Sequence, residues 1–313
     1  MNTAGTIGIG HIGIGNMARL RLDRFLTRDD VRSVIAWSRT EEKRADYVTL
    51  CGGDGTPDWR DVVDHPDVHA VCVATPTSSH FQYAMAVLEA GKHVLVECPA
   101  VADAGEWDQL ADTARSLGVV LYSGSNYRFE DVFQAYAYAA TKIGPILRAQ
   151  SDSSWQPEET SWYYDRATSG GVFPCAHIYQ FTLFHILGKP VSVNAFLSDH
   201  GKYGVAKVTY HEGATGIATG GFRRQGTNEA LLVGHGGILR READGRFVVD
   251  REDEQETIPI RQVIPEIEDN DCFIRCIRDE EGWESHAVRE RSAHAVAAAA
   301  QESAEKNKSI SPG

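Results

Sequence analysis

The first 125 residues set the tightest limit on how this chain can fold, because short apolar runs there alternate with helical patterns. Residues 6–12, 31–37, 70–74, 93–96 and 119–123 read as strands, and 17–26, 40–50, 79–90 and 104–117 read as helices. Alternation of this kind predicts a parallel sheet covered by helices on both faces. Runs such as Val71-Cys72-Val73 show no polar alternation, as expected of strands buried on both sides. The chain has 313 residues, enough for a second domain with its own core.

Past residue 125 the rhythm changes. A helix over 131–142 precedes Gly144-Pro145, a strand and an aromatic-rich loop, and an apolar helix follows over 177–187. Strand-like segments then come in succession at 191–197, 205–210, 216–220, 230–235, 238–241 and 247–249, with Gly236-Gly237 as a tight turn between two of them. Helices over 271–278 and 286–306 close the sequence. The expected fold is α/β: a Rossmann-type doubly wound parallel sheet over 1–125, then an α+β domain over 126–313 with a largely antiparallel open sheet. The first domain would bind a dinucleotide, and the second would bind substrate and pair subunits.

A glycine-rich turn links the first strand to the first helix. Gly13-Ile14-Gly15-Asn16-Met17-Ala18 lets the backbone turn tightly and approach a pyrophosphate at the helix N-terminus, and small Ala18 permits close helix–strand packing. The second strand ends in Ala36-Trp37-Ser38-Arg39-Thr40, without the acid that usually binds the ribose 2′-hydroxyl of NAD. Ser38 and Thr40 can donate hydrogen bonds, Arg39 can pair with a phosphate, and Lys43 lies one helical turn further on. This set suits the 2′-phosphate of NADP.

Charge and cysteine usage narrow the class. A formal net charge of −13 argues against a nucleic-acid surface. No segment approaches the roughly 18-residue apolar run of a membrane span. The sequence enters a strand almost at once, so no secretion signal is expected. The six cysteines show no paired framework, which fits a reducing cytoplasm. Cys272 and Cys276 stand at i, i+4, a spacing that an apolar helical face explains, and no metal is expected.

Several segments together carry a family resemblance: Gly91-Lys92-His93-Val94-Leu95-Val96-Glu97-Cys98-Pro99, Thr75-Pro76-Thr77-Ser78-Ser79-His80, Asn126-Tyr127-Arg128-Phe129, and the stretch from Trp162 to Gly170-Gly171. Residues 273–277 and 303–306 add the closing helices. The chain resembles the glucose-fructose oxidoreductase / inositol dehydrogenase / rhizopine-catabolism oxidoreductase family over nearly its whole length. The resemblance implies that Thr75, Pro76 and His80 pass over the nicotinamide half of the cofactor. It also implies that Glu97 contacts the nicotinamide ribose and that Pro99, through a cis bond, rigidifies that turn. Arg128 would stand at the start of the substrate domain.

The resemblance also marks a departure. Family members that oxidise sugars or cyclitols use the lysine of Glu-Lys-Pro, a histidine, and an aspartate four residues before it. Here Cys98 replaces the lysine, His177 matches the histidine, Phe173 stands in the aspartate's place, and Gln180 replaces a further aspartate. Loss of a positioned acid–base group typically costs about 10²–10⁴ in rate. The sequence therefore suggests an NADP-dependent reductase whose substrate needs little acid assistance, with a carbonyl, imine or conjugated carbon of a small ring-containing or sugar-like molecule as hydride acceptor. His177 or a tyrosine would donate the proton, Cys98, Gln180 and Arg128 would contact substrate, and Tyr163 and Tyr164 with Trp155 and Trp162 would line the pocket or pack in the core. A non-catalytic NADP-binding regulator of the same fold is the alternative. By the same resemblance a homodimer or homotetramer is expected, paired through the open face of the second sheet.

Overall fold

The structure, a computed structural model, describes residues 5–223 and 229–313. The chain divides into two compact units. One runs to Val101 and includes Gly105–Asn126 and Ile264–Val288, and the other comprises Ala102–Ala104, Tyr127–Val263 and Arg289–Gly313.

The first unit opens with β1 (Ile7–Ile12), α1 (Asn16–Phe25), β2 (Val31–Trp37) and α2 (Glu41–Cys51). It continues through β3 (Asp54–Thr56), α3 (Trp59–Asp64), β4 (Ala70–Val73), α4 (His80–Glu89), β5 (His93–Glu97), α5 (Ala104–Leu117) and β6 (Leu121–Gly124). The six strands lie in the order β3-β2-β1-β4-β5-β6, all parallel. Strand order reverses between β1 and β4, the position at which open α/β sheets bind ligands beyond their carboxyl ends. Every residue of β1, β4 and β5 is buried, His11, His93 and Glu97 included, as in strands covered on both faces. Two sharp turns are made by glycines in the left-handed region, Gly52 after α2 (φ 70°) and Gly91 after α4 (φ 71°).

The second unit begins with α6 (Asp131–Ala140) and β7 (Ile146–Trp155), then the short α7 (Arg166–Ser169). The helix expected over 177–187 starts earlier and is irregular. A π-turn over Phe173–His177 leads into α8 (Ile178–Leu183) and a 3₁₀ turn over Phe184–Leu187. Pro174, which has no amide hydrogen, stands in the first turn of this segment. The sheet is completed by β8 (Pro190–Ser198), β9 (Tyr203–Tyr210), β10 (Thr215–Phe222), β11 (Ala230–Gly234), β12 (Gly237–Arg241), β13 (Phe247–Arg251) and β14 (Glu254–Thr257). Its order is β14-β13-β12-β11-β7-β10-β9-β8, antiparallel throughout except for the β7–β10 pair. The β11–β12 turn falls one residue earlier than the sequence suggested, at His235-Gly236, because Gly234 pairs with Gly237.

Two C-terminal helices follow, α9 (Pro265–Ile277) and α10 (Glu284–Lys306). Residues 264–288 group with the first unit, although the sequence reading placed everything after 125 in one domain. The reason is a buried charge cluster. Arg21 of α1 is 1% exposed, its Nε donates to Glu97 at the end of β5 (2.6 Å), and its Nη1 meets Asp269 (2.5 Å) and Asn270 (2.9 Å) of α9. Tyr122 of β6 adds a hydrogen bond to Asp269 (3.0 Å).

Candidate active site

The dinucleotide half of the site forms at the carboxyl end of β1. Gly13 lies at φ 94°, and a Cβ there would come within 2.7 Å of the Ala74 carbonyl, so this turn admits only glycine. Gly15 is the N-cap of α1, no side chain caps it, and a Cβ on it would meet nothing within 4 Å. The first amides of α1 are thus left for an anion, beside exposed Asn16 and Met17. Beside this turn, Gly15, Asn16, Arg19, Lys43 and Tyr47 help to line a shallow recess of about 130 Å³.

Arg39, Thr40 and Lys43 are exposed at the start of α2, while Ser38 is buried and its Oγ accepts from the Thr40 amide (3.4 Å). Arg44, which sequence reasoning passed over, donates to the Ser38 carbonyl (2.7 Å) and fixes the end of β2. Acids are present nearby, but at Glu41 and Glu42 in the first turn of α2 rather than at the strand end. These features fit a dinucleotide whose phosphates face the α1 amides and whose adenosine ribose faces Arg39 and Lys43.

The nicotinamide end is built from two loops clasped by one ring. His80 is buried; its Nδ1 faces the Pro99 carbonyl (3.0 Å) and its Nε2 the Thr75 carbonyl (2.5 Å). It therefore joins the loop after β4 to the loop after β5. Thr75 and Ser79 share a hydroxyl hydrogen bond (2.8 Å), and Ser79 also donates to the Pro76 carbonyl, so Ser79 ties the turn instead of capping α4. The Cys98–Pro99 bond is cis, and Cys98 is half-buried. Glu97 points one oxygen at Arg21; burial pushes its carboxyl above the ordinary value, and the guanidinium opposes that push. Burial outweighs the guanidinium, and Asp269, which shares that cation, adds a smaller push in the same direction.

In the second unit the residues expected to do chemistry are packed instead. His177 is fully buried, with Nδ1 facing the Val172 carbonyl (3.4 Å) and Nε2 the Gly204 carbonyl (3.2 Å). Burial lowers its pKa to about 4, so it is neutral at pH 7. Its ring lies 4.8 Å from that of Phe173 and 6.2 Å from that of Phe181. Gly204 of β9 makes room: a Cβ there would come within 2.7 Å of Phe173 and 3.1 Å of His177. Gln180 is likewise buried and donates to the main chain at Ser151 (3.0 Å) and Thr219 (2.7 Å), tying β7 to β10. Cys175 donates to the Ser169 carbonyl, and burial pushes its thiol up to about 12. Both the donor role of His177 and the substrate role of Gln180 therefore conflict with the packing.

The aromatic cluster does form. Tyr163 stacks on Trp162 (4.0 Å between centroids) and meets Trp155 edge-on (4.7 Å), with Phe222 against both Trp155 and Tyr164. Lys202 lies over the Tyr164 ring (5.2 Å), and the Tyr164 hydroxyl donates to the Pro157 carbonyl (3.3 Å). Arg128 lies over the Phe129 ring at 5.1 Å. Trp155 remains 37% exposed, so the cluster is not closed core.

Residues 7–125 match a family model described as "Oxidoreductase family, NAD-binding Rossmann fold", and residues 136–240 match one described as "GFO/IDH/MocA C-terminal domain". Levoglucosan dehydrogenase of Pseudarthrobacter phenanthrenivorans is 31% identical over 183 residues, covering 54% of this chain and 45% of that protein. A scyllo-inositol 2-dehydrogenase (NADP(+)) of Bacillus subtilis is 30% identical over 169 residues, 52% of this chain and 46% of its own length. The chain thus spans about half the length of the curated relatives it matches. A solved levoglucosan dehydrogenase, in complex with NADH and L-sorbose, shares the fold with a TM-score of 0.87 at 20% identity, covering 99% of both chains.

Proposed function

The chain belongs to the GFO/IDH/MocA oxidoreductase family, and from that premise we propose that it is an NADP-dependent oxidoreductase working on a small sugar-like or other ring-containing molecule. The observation that carries the cofactor choice is the end of β2, where Arg39, Thr40 and Lys43 are exposed and the strand-end acid of an NAD site is replaced by Ser38. A dinucleotide held there by its adenosine end would supply or accept the hydride at its nicotinamide ring, beside the loops after β4 and β5. The α1 amides and Arg39 hold the phosphates, and the His80 clasp keeps the Thr75 and Cys98–Pro99 loops in place. Relatives named for levoglucosan and scyllo-inositol support a polyol or cyclic sugar as the substrate class.

Reduction of a carbonyl, imine or conjugated bond is the direction that best tolerates Cys98 and Phe173. With both His177 nitrogens against carbonyls, we assign His177 to packing and give proton donation to Tyr163 of the aromatic cluster. Tyr163→Phe should lower turnover of NADPH with a keto-sugar panel by about 10²-fold or more while leaving NADPH affinity unchanged. Unaltered turnover would remove Tyr163 from the mechanism. By the same reading, Cys98→Lys should raise sugar dehydrogenation. Pairing of two chains through the open face of the second sheet is supported by Phe196, 62% exposed on β8.

The burial of His177 against Phe173, which stands in the place of the family aspartate, favours a second reading, a nucleotide-responsive regulator. It would bind NADPH as tightly yet turn over nothing in the same panel.

A further inference from the structure

We propose that Cys272, Cys276, His286 and Glu281 form a binding site for a thiophilic divalent metal ion, with zinc the best match. Cys272 and Cys276 lie one turn apart on α9, and the turn at 278–283 folds back so that His286, in the first turn of α10, faces them. Asp279 in the left-handed region (φ 58°) helps to reverse the chain, and the Glu280 amide closes onto the Arg275 carbonyl (3.0 Å). Among the described residues Cys272, Cys276 and His286 are the one group of three or more potential ligands whose donor atoms lie within 4.8 Å of one another, and Glu281 stands next to that group.

The spacing is close to what the metal requires. Zinc–sulfur and zinc–nitrogen bonds of about 2.3 and 2.0–2.1 Å at a tetrahedral angle put sulfur and nitrogen about 3.6 Å apart. Cys272 Sγ and His286 Nε2 are 3.7 Å apart. Glu281 is the fourth donor at hand: its Oε1 hydrogen-bonds the same Nε2 at 2.8 Å, and drawing back by about half an ångström gives the oxygen–nitrogen spacing of a tetrahedral zinc. Its other oxygen is held by Arg275 (3.0 Å), which orients the carboxylate as outer-sphere partners of metal ligands do.

Charge agrees as well. Two thiolates and one carboxylate exceed a divalent ion by one negative charge, and the Arg275 guanidinium offsets it. The thiols are buried, 1% and 2% exposed, whereas the His286 and Glu281 side chains are 12% and 31% exposed. An ion therefore enters from the Glu281 side and displaces two thiol protons to solvent. Hard cations such as magnesium and calcium do not suit sulfur and imidazole donors.

The test is titration of the chelator-treated, reduced full-length chain with cobalt(II), followed by displacement with zinc. One cobalt per chain should bind with thiolate-to-cobalt charge-transfer absorption and the intense visible bands of a tetrahedral site, and zinc should erase both. His286→Ala and Cys276→Ser should each weaken binding on the order of 100-fold, while Cys175→Ser should leave it unchanged. His286 is the safer substitution for folding, so its loss of affinity at unchanged circular dichroism decides the matter. Absence of a thiolate–cobalt band in the unaltered protein, or equal affinity in His286→Ala, overturns the assignment.

Discussion

The buried Arg21 is the perturbation from which most can be worked out. Arg21→Met keeps the length and apolar stem of the side chain but leaves Glu97 and Asp269 in the protein interior without their shared cation. Both carboxylates are nearly inaccessible, with side-chain exposures of 7% and 0%. Removing one partner of such a pair typically costs about 3–5 kcal/mol. With a urea slope of about 2–3 kcal/mol per molar, that is a midpoint shift of about 1–2 M. The loss depends on pH with a definite sign. A carboxyl whose folded pKa lies above its unfolded value adds stability below the unfolded pKa and loses it as pH rises through the folded one. Glu97 is already raised by burial, and without Arg21 it rises further. The deficit of Arg21→Met should therefore be full at pH 8 and shrink at pH 5, where Glu97 takes up a proton. Urea unfolding at the two pH values, followed by tryptophan emission from Trp107 and Trp283 in the same unit, measures it. A deficit under about 1 kcal/mol at pH 8, or one equal at both pH values, would refute the reasoning that a charged triad holds α9 to the sheet.

Other outcomes follow from the same geometry. Gly13→Ala forces a side chain into a left-handed conformation and against the Ala74 carbonyl, so dinucleotide binding should be lost while the second unit keeps its unfolding midpoint; retained affinity would show the turn to be tolerant. His11, His93 and His177 are buried with pKa values lowered to about 4, against about 6.5 in the unfolded chain. Each contributes stability above pH 6.5 that is lost as pH falls toward 4, on the order of 1 kcal/mol per pH unit. Circular dichroism melts from pH 7 to 4.5 should fall accordingly, and a flat profile would mean that these rings take up protons as readily in the fold as in the unfolded chain. Gly204→Ala should cost about 1–3 kcal/mol by overpacking against Phe173 and His177; a thermal scan that shows no loss would mean the aromatic pair moves freely.

Much of this was legible in the amino-acid sequence, because the first sheet is encoded locally. The buried strands are short and mostly apolar, and reversals carry their own punctuation, such as Gly52 and Gly91. What escaped was short or distant. A three-residue β3 and a six-residue α3 are too brief to display a period. The return of α9 to the first unit depends on Arg21 meeting Asn270, 249 residues away in the chain. A local signal did exist: Arg21 shares one helical face with buried Ala18, Leu22 and Phe25, so a charge stands in the apolar stripe of α1. The surroundings of His177 were hidden for a related reason. The resemblance pointed to function, but the space that takes up its ring is provided by Gly204, on a strand that only the fold brings near.

The central claim, a dinucleotide site tuned to the 2′-phosphate, is tested most directly by titrating cofactor-stripped protein with NADPH and NADH under tryptophan-to-nicotinamide energy transfer. The account predicts NADPH binding at least about 10-fold tighter than NADH, as expected for a charge-assisted contact, and loss of that preference in Arg39→Ala. Equal or tighter NADH binding would contradict the assignment of Ser38, Arg39, Thr40 and Lys43, and binding of neither would reduce the glycine turn to architecture.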